Sequence, residues 1–198
     1  MTDPIDRSML AKLDAVIDEA TDAFEAFDYA RALERTEAFF WWFCDNYVEL
    51  VKGRTYDDQR PEGADSAKRA LREALGAVQR LFAPVLPFAA EEAWSWWNES
   101  SVHLAPWPRP SGEAGTPFGD PTLADVTIEV LTQVRRAKTE AKRSQRAVVE
   151  AVVVAAPSSL HAAIEAGRSD LVDAGSIREL TVVEGDAVST VVTLADED

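Results

Sequence analysis

The chain has 198 residues, 46% of them hydrophobic and 28% charged, which is the composition of a globular protein rather than a disordered or fibrous one. Its single Cys excludes an internal disulfide framework and a multi-Cys metal site. No stretch of ~18 apolar residues and no signal-peptide pattern occurs, so no membrane partner is expected and the cytoplasm is the expected location. Twenty Lys+Arg against 35 Asp+Glu give a net charge of −15, which opposes non-specific capture of nucleic acid. The charge is segregated, however: Arg135, Arg136, Lys138, Lys142, Arg143 and Arg146 face only Glu140 among their near neighbours.

From Pro4 to about Phe24 the apolar residues recur at three- and four-residue steps, which predicts an amphipathic helix with Asp3-Pro4 as its cap. A second helix is expected from Asp28 to about Lys52, with Leu33, Phe40, Cys44, Tyr47 and Val51 on one stripe and Gly53 as its stop. Residues 54–65 read as a loop. A third helix should start near Ser66 and stop or kink at Pro84, and a fourth should open at Pro87 and run through Trp97. Residues 101–120, rich in Pro and Gly, read as a linker between a helical bundle (1–100) and a second unit (121–198). That unit begins with a fifth helix, from about Pro121 to Arg146. Strands follow at Val148–Ala155, Ile177–Val183 and Val188–Leu194, with a helix from Pro157 to about Ala166. The fold class is thus mainly α: a helical bundle followed by a small α/β unit, ending in an acidic tail (Ala195–Asp198) expected to fray.

Catalytic patterns are scarce. Neither phosphate-cradling glycine motif is present. His103 and His161 lie far apart, and Ser100 and Ser158 stand where a di-metal bundle would need Glu. Cys44 reads as a small core residue, since a nucleophile would need a base and a polar surround. Adjacent Glu91 and Glu92 diverge by ~100° on a helix, so one should face solvent while the other caps or pairs.

The informative feature is Phe39-Phe40-Trp41-Trp42-Phe43. Five successive aromatic side chains encircle a helix and cannot all face one core. Either the helix lies between two layers, or Trp41 or Trp42 emerges where unpaired bases can stack, at ~1–3 kcal/mol per base. Cations flank this helix. The candidates for RNA contact are Arg31, Arg35, Trp42, Lys52 and Arg54, with Arg69 and Arg72 of the third helix as alternatives.

Four ordered blocks carry a resemblance. Phe27-Asp28-Tyr29-Ala30-Arg31-Ala32-Leu33, then Phe39–Phe43 with Cys44-Asp45-Asn46-Tyr47-Val48-Glu49-Leu50-Val51-Lys52, then Leu81–Trp94, then Ser101–Pro108, resemble the anticodon-binding region of class I valyl-tRNA synthetases. The Pro-x-x-Pro-Phe-x-x-Glu-Glu-x-Trp block is similar across the valine, isoleucine and leucine enzymes, and the Asp45–Lys52 block leans towards valine. The resemblance implies a bundle that reads a tRNA anticodon, with valine-accepting tRNA and an upstream catalytic domain as partners. ATP would bind only in that catalytic domain, whose H-I-G-H and K-M-S-K-S signatures do not occur here, so no cofactor and no catalysis are expected of this chain. The chain is then expected to be a C-terminal fragment or a stand-alone derivative, with micromolar or poorer, salt-sensitive tRNA affinity. The alternative is an acidic helical module for protein interaction or scaffolding; an independent enzyme fares worst, because no nucleophile–base pair can be assembled. The basic stretch Arg135–Arg146 could hold tRNA backbone or pair with the acidic N-terminal helix.

Overall fold

The computed structural model describes residues 1–112 and 118–196. Helix α1 (Pro4–Glu25) starts as its sequence dictates: the Asp3 carboxylate accepts from the amides of Ile5 (2.9 Å) and Asp6 (3.4 Å), with Pro4 in the first turn. Two residues past its end the chain turns at Phe27, whose φ of 61° places a bulky residue in the left-handed region. Asp28 then caps α2 (Tyr29–Trp42) through the amide of Arg31 at 3.2 Å.

The second helix does not continue uniformly. A π-helical turn, Phe43–Tyr47, precedes a short α3 (Val48–Val51), with the Val48 amide reaching back to the Phe43 carbonyl. The buried positions are Ala32, Thr36, Phe39, Phe43, Tyr47, Leu50 and Val51. The expected stripe through Leu33, Phe40 and Cys44 is therefore displaced by one residue before the turn, and those three are half-buried. Thr36 tolerates burial because its hydroxyl donates to the Ala32 carbonyl at 2.9 Å. Gly53 has ordinary right-handed dihedrals and leads into a 3-10 turn, Arg54–Tyr56.

Helix α4 (Pro61–Phe82) begins at Pro61 rather than near Ser66, because Pro in the first turn needs no amide donor. Helix α5 (Pro87–Ser95) is held by its own small core of Ala83, Ala90, Trp94 and Val102. Glu91 accepts from the Ser101 hydroxyl (2.8 Å) and the Val102 amide (2.9 Å), while exposed Glu92 accepts from the Trp96 indole at 3.2 Å. The adjacent acids thus diverge as their helical spacing requires.

The Pro-rich segment is a strap along the bundle. Trp107 donates to the Thr21 hydroxyl at 2.8 Å and packs edge-on against Phe24, while Arg80 donates to the Pro106 carbonyl at 3.2 Å. Further along, Asp14 accepts from the amides of Ser111 (2.7 Å) and Gly112 (3.1 Å), Ser111 also donates to Glu73, and Arg7 donates to the Phe118 carbonyl at 2.9 Å. Shared partners at Asp14/Glu73 and Thr21/Arg80 show that α1 and α4 run side by side in the same direction. Residues 113–117, including Pro117 of the expected linker, and the last two residues of the acidic tail lie outside the described residues.

Helix α6 (Thr122–Glu140) crosses α1, joined to it by the Ala124 amide on the Ser8 hydroxyl (2.9 Å) and by the Lys12–Asp125 ion pair (2.7 Å). It ends at Glu140 rather than Arg146, closed by a turn in which Lys142 has φ 55°. Then come β1 (Val149–Ala156), α7 (Ser158–Ala166), α8 (Arg168–Gly175), β2 (Ile177–Glu184) and β3 (Ser189–Leu194). The sheet order is β2-β1-β3, with β1 parallel to β2 and antiparallel to β3. Helix α8 falls in a stretch for which the sequence offers no periodic signal. One continuous buried cluster runs from Ile5 of α1 through α4 and α6 to Leu180 of β2, so the bundle and the α/β unit share a core across the strap.

Candidate nucleic-acid interface

Exposed aromatic side chains gather where α1 turns into α2. Phe27 is 78% exposed and lies edge-on to Tyr29 at 6.4 Å. Behind them Phe24 contacts both Tyr29 (5.5 Å) and Trp107 (5.2 Å). A bulky side chain standing in solvent on left-handed backbone is unfavourable for folding, and such outliers concentrate at functional sites.

Next to this corner is a shallow cavity of about 180 Å³, lined by Arg80, Ala83, Val102, His103, Pro106 and Trp107. Burial lowers the pKa of Arg80 from the ordinary arginine value, with Glu73 acting in the opposite direction. Its guanidinium is oriented by the Gly76 and Pro106 carbonyls. His103 lies 3.3 Å from the Pro87 carbonyl, and beyond it Phe88, Leu104 and Trp96 are exposed. Flat rings, one held guanidinium and an imidazole can receive unpaired bases through stacking and edge hydrogen bonds.

The residues singled out from sequence are dispersed. Arg31 is exposed on α2 beside the aromatic corner, and Arg35 on the same helix pairs with Glu19 at 3.1 Å. Lys52 is exposed and lies 3.5 Å from Glu49. Arg69 lines an acidic cleft with Glu62 and Asp65, and Arg72 sits over the Trp97 ring at 5.4 Å. Trp42 is half-buried, with the Lys12 ammonium over one face at 4.9 Å, so this ring packs α2 on α1 while its neighbour Trp41 is the exposed one. Arg54 is an interior residue. Its guanidinium meets Asp6 (2.7 Å), Asp170 (2.9 Å) and Asp3 (3.0 Å), and Tyr47 donates to the same Asp6 at 2.7 Å. Burial opposes the Arg54 charge, but Asp6, Asp170 and Asp3 together outweigh it and raise its pKa. Such a group cannot reach RNA.

In the basic stretch, Arg135 leans to Glu49 (3.9 Å) and Arg136 to Glu140 (2.7 Å), while buried Lys138 donates to the carbonyls of Gln145 (2.9 Å) and Gly175 (2.8 Å). Arg135 and Lys138 turn to other elements and Arg136 pairs within α6, so none of these three contacts goes to α1. Phe27, Tyr29, Arg80 and Trp107 were missed as candidates. The signal available for Phe27 was a bulky residue directly after a helix end, where glycine is the usual choice.

Among the described residues no group of three His, Cys, Asp or Glu side chains can hold a metal ion, and no helix is long and apolar enough to cross a membrane. Comparison with known proteins gives a consistent picture. The chain is 53% identical to a valine--tRNA ligase of Leifsonia xyli subsp. xyli over 186 residues, which is 93% of this chain and 21% of that ligase. The ligases of Thermobifida fusca and Salinispora tropica are 51% and 44% identical, over 91% and 96% of the chain and 20% and 24% of their own lengths. The chain thus spans a minor part of the curated relatives it matches. Residues 6–153 match the family described as the anticodon-binding domain of tRNA ligase, and with a bundle of this topology beneath that match the chain belongs to this family.

Proposed function

We propose that the chain is the anticodon-reading part of a valine--tRNA ligase and that it takes the unpaired anticodon bases of valine-accepting tRNA on the α1–α2 corner. The observation that carries this reading is Phe27, exposed and on left-handed backbone beside Tyr29 and the Arg80 cavity. Arg31 stands at the edge of this platform for phosphate contact, and Arg35, Lys52, Arg69 and Arg72 are further surface cations. An upstream catalytic domain that binds ATP, and a cytoplasmic location, belong to the same proposal. The names of the relatives support valine over isoleucine or leucine.

The test is fluorescence anisotropy with transcribed tRNA bearing valine or alanine anticodons. The valine anticodon is expected to bind more tightly. Phe27→Gly should keep or raise the melting temperature, since glycine suits the backbone there, yet weaken binding by about 1–3 kcal/mol, one stacked base. Equal affinity for both anticodons would sink the proposal. The exposed apolar strip of Leu86, Phe88, Trp96 and Leu104 favours a second reading, a protein-docking module; negligible binding of either RNA would support that one.

A further inference from the structure

Between α6 and β1 the chain turns through Ala141-Lys142-Arg143-Ser144-Gln145-Arg146-Ala147-Val148, which holds three cations and no acid. The Arg143 amide bonds to the Lys138 carbonyl (2.8 Å) and the Lys142 amide to the Thr139 carbonyl (2.9 Å), leaving Lys142 at φ 55° with an exposed side chain. Glycine is the residue such a helix end prefers. A lysine on strained backbone in solvent contributes nothing to packing, so its value lies in where it puts its charge. Across the turn, Arg178 of β2, Ala195 and Asp196 complete an open cavity of about 430 Å³ with Arg143, Arg146 and Val148. Arg178 is paired with Glu150 at 2.5 Å and Arg143 donates to the Ala195 carbonyl at 3.3 Å. The Arg146 guanidinium makes no ion pair among the described residues.

We propose that this cavity is a second RNA contact, taking phosphodiester groups of the tRNA backbone away from the anticodon. The inference rests on the reading that the chain binds tRNA, but it concerns a different surface: the α/β unit rather than the aromatic corner. The ligand class follows from the donors. Guanidinium forks match phosphate oxygens in pairs, and three of the lining residues, Arg143, Arg146 and Arg178, carry them. The chain carries a net charge of −15, but in this cavity Arg143, Arg146 and Arg178 outnumber the single lining carboxylate, Asp196, so an anion is favoured from this side. The aromatic corner can discriminate bases but has few cations; the turn supplies the sequence-independent part of binding.

The test uses the full chain with Lys142→Glu and Arg146→Glu combined. Anisotropy is read with a valine-anticodon tRNA and with a plain RNA duplex lacking a loop, at about 50 and 200 mM salt. The expected result is a loss of about tenfold on both RNAs at the lower salt, a slope of log affinity against log salt shallower by about 1–2, and an unchanged melting temperature. If the double reversal lowers the melting temperature, Lys142→Gly with Arg146→Gln carries the same test, because glycine suits the backbone at 142. Unchanged slope and affinity in the folded variant would overturn the proposal, as would failure of the unaltered chain to bind either RNA. Exchange of the anticodon without effect on the unaltered chain would strike the corner reading alone, because the duplex has no anticodon to read.

Discussion

Three carboxylates, Asp3, Asp6 and Asp170, converge on the one guanidinium of Arg54 in the interior. The excess of acid has a consequence for pH. Burial, opposed by Arg54 and reinforced by Asp3, raises Asp170 from 3.8 to about 6, and burial likewise raises Asp3. A carboxyl whose folded pKa lies above its unfolded one stabilises the fold fully below the unfolded value and loses that contribution as pH rises through the folded value. Between pH 3.8 and about 6, the stability of the unaltered chain relative to Asp170→Asn should therefore fall, by about 3 kcal/mol at most for a shift of this size. Urea unfolding at several pH values checks this; a difference that grows with pH would contradict it. Arg54 itself shows why the cluster escapes a reading of sequence. Arginine after Lys52-Gly53 and before a polar loop has the local signature of a surface cation. The acids that bury it lie 48 and 116 residues away, at Asp6 and Asp170.

At the level of elements, close approach decides where the helices of the α/β unit can sit. Gly167 joins α7 to α8 directly over Thr127 of α6, where an added Cβ would lie 2.4 Å from the Thr127 hydroxyl oxygen and 2.5 Å from its methyl carbon. Thr127 is buried and anchored to the Leu123 carbonyl at 2.9 Å, so it cannot swing aside freely. Gly167→Ala should destabilise the chain by about 1–3 kcal/mol, the range for overpacking a tight interior, read from a denaturant midpoint shift. Most elements are legible in sequence because their signals are local. Asp3-Pro4 predicts the start of α1, and β-branched runs predict β1 and β2. What escapes are features set by tertiary contact. In the aromatic run, which the π turn at Phe43–Tyr47 ends, Phe39 and Phe43 face the core and Trp41 faces solvent, a choice that periodicity in an all-aromatic segment cannot make. The strap looks like a linker because proline suppresses any period, yet polar contacts with Asp14, Thr21 and Glu73 fix it to the bundle. The candidate site was legible as an idea, rings beside cations, and its location was not: Trp42 and Arg54 serve packing, while Phe27 and Trp107 stand at the corner.

For the molecule as a whole, charge acts in two directions. A net charge of −15 makes the folded chain repel itself, and added salt screens that repulsion more than it weakens exposed ion pairs of small individual worth. Between about 0.05 and 0.5 M sodium chloride the melting temperature should rise by a few degrees while tRNA affinity falls, since salt competes with phosphate contacts. Scanning fluorimetry and anisotropy on one salt series check both signs, and a falling melting temperature would mean that ion pairs outweigh self-repulsion. The Arg54 cluster joins parts of the chain that are made far apart in time. Arg54 leaves the ribosome 116 residues ahead of Asp170, so of its three carboxylate partners in the fold only Asp3 and Asp6 have been made before α8 emerges. A product released at residue 153, where the family match ends, would carry most of β1 without either strand that flanks it. The three-stranded sheet is therefore complete only once residue 194, the last of β3, has been made.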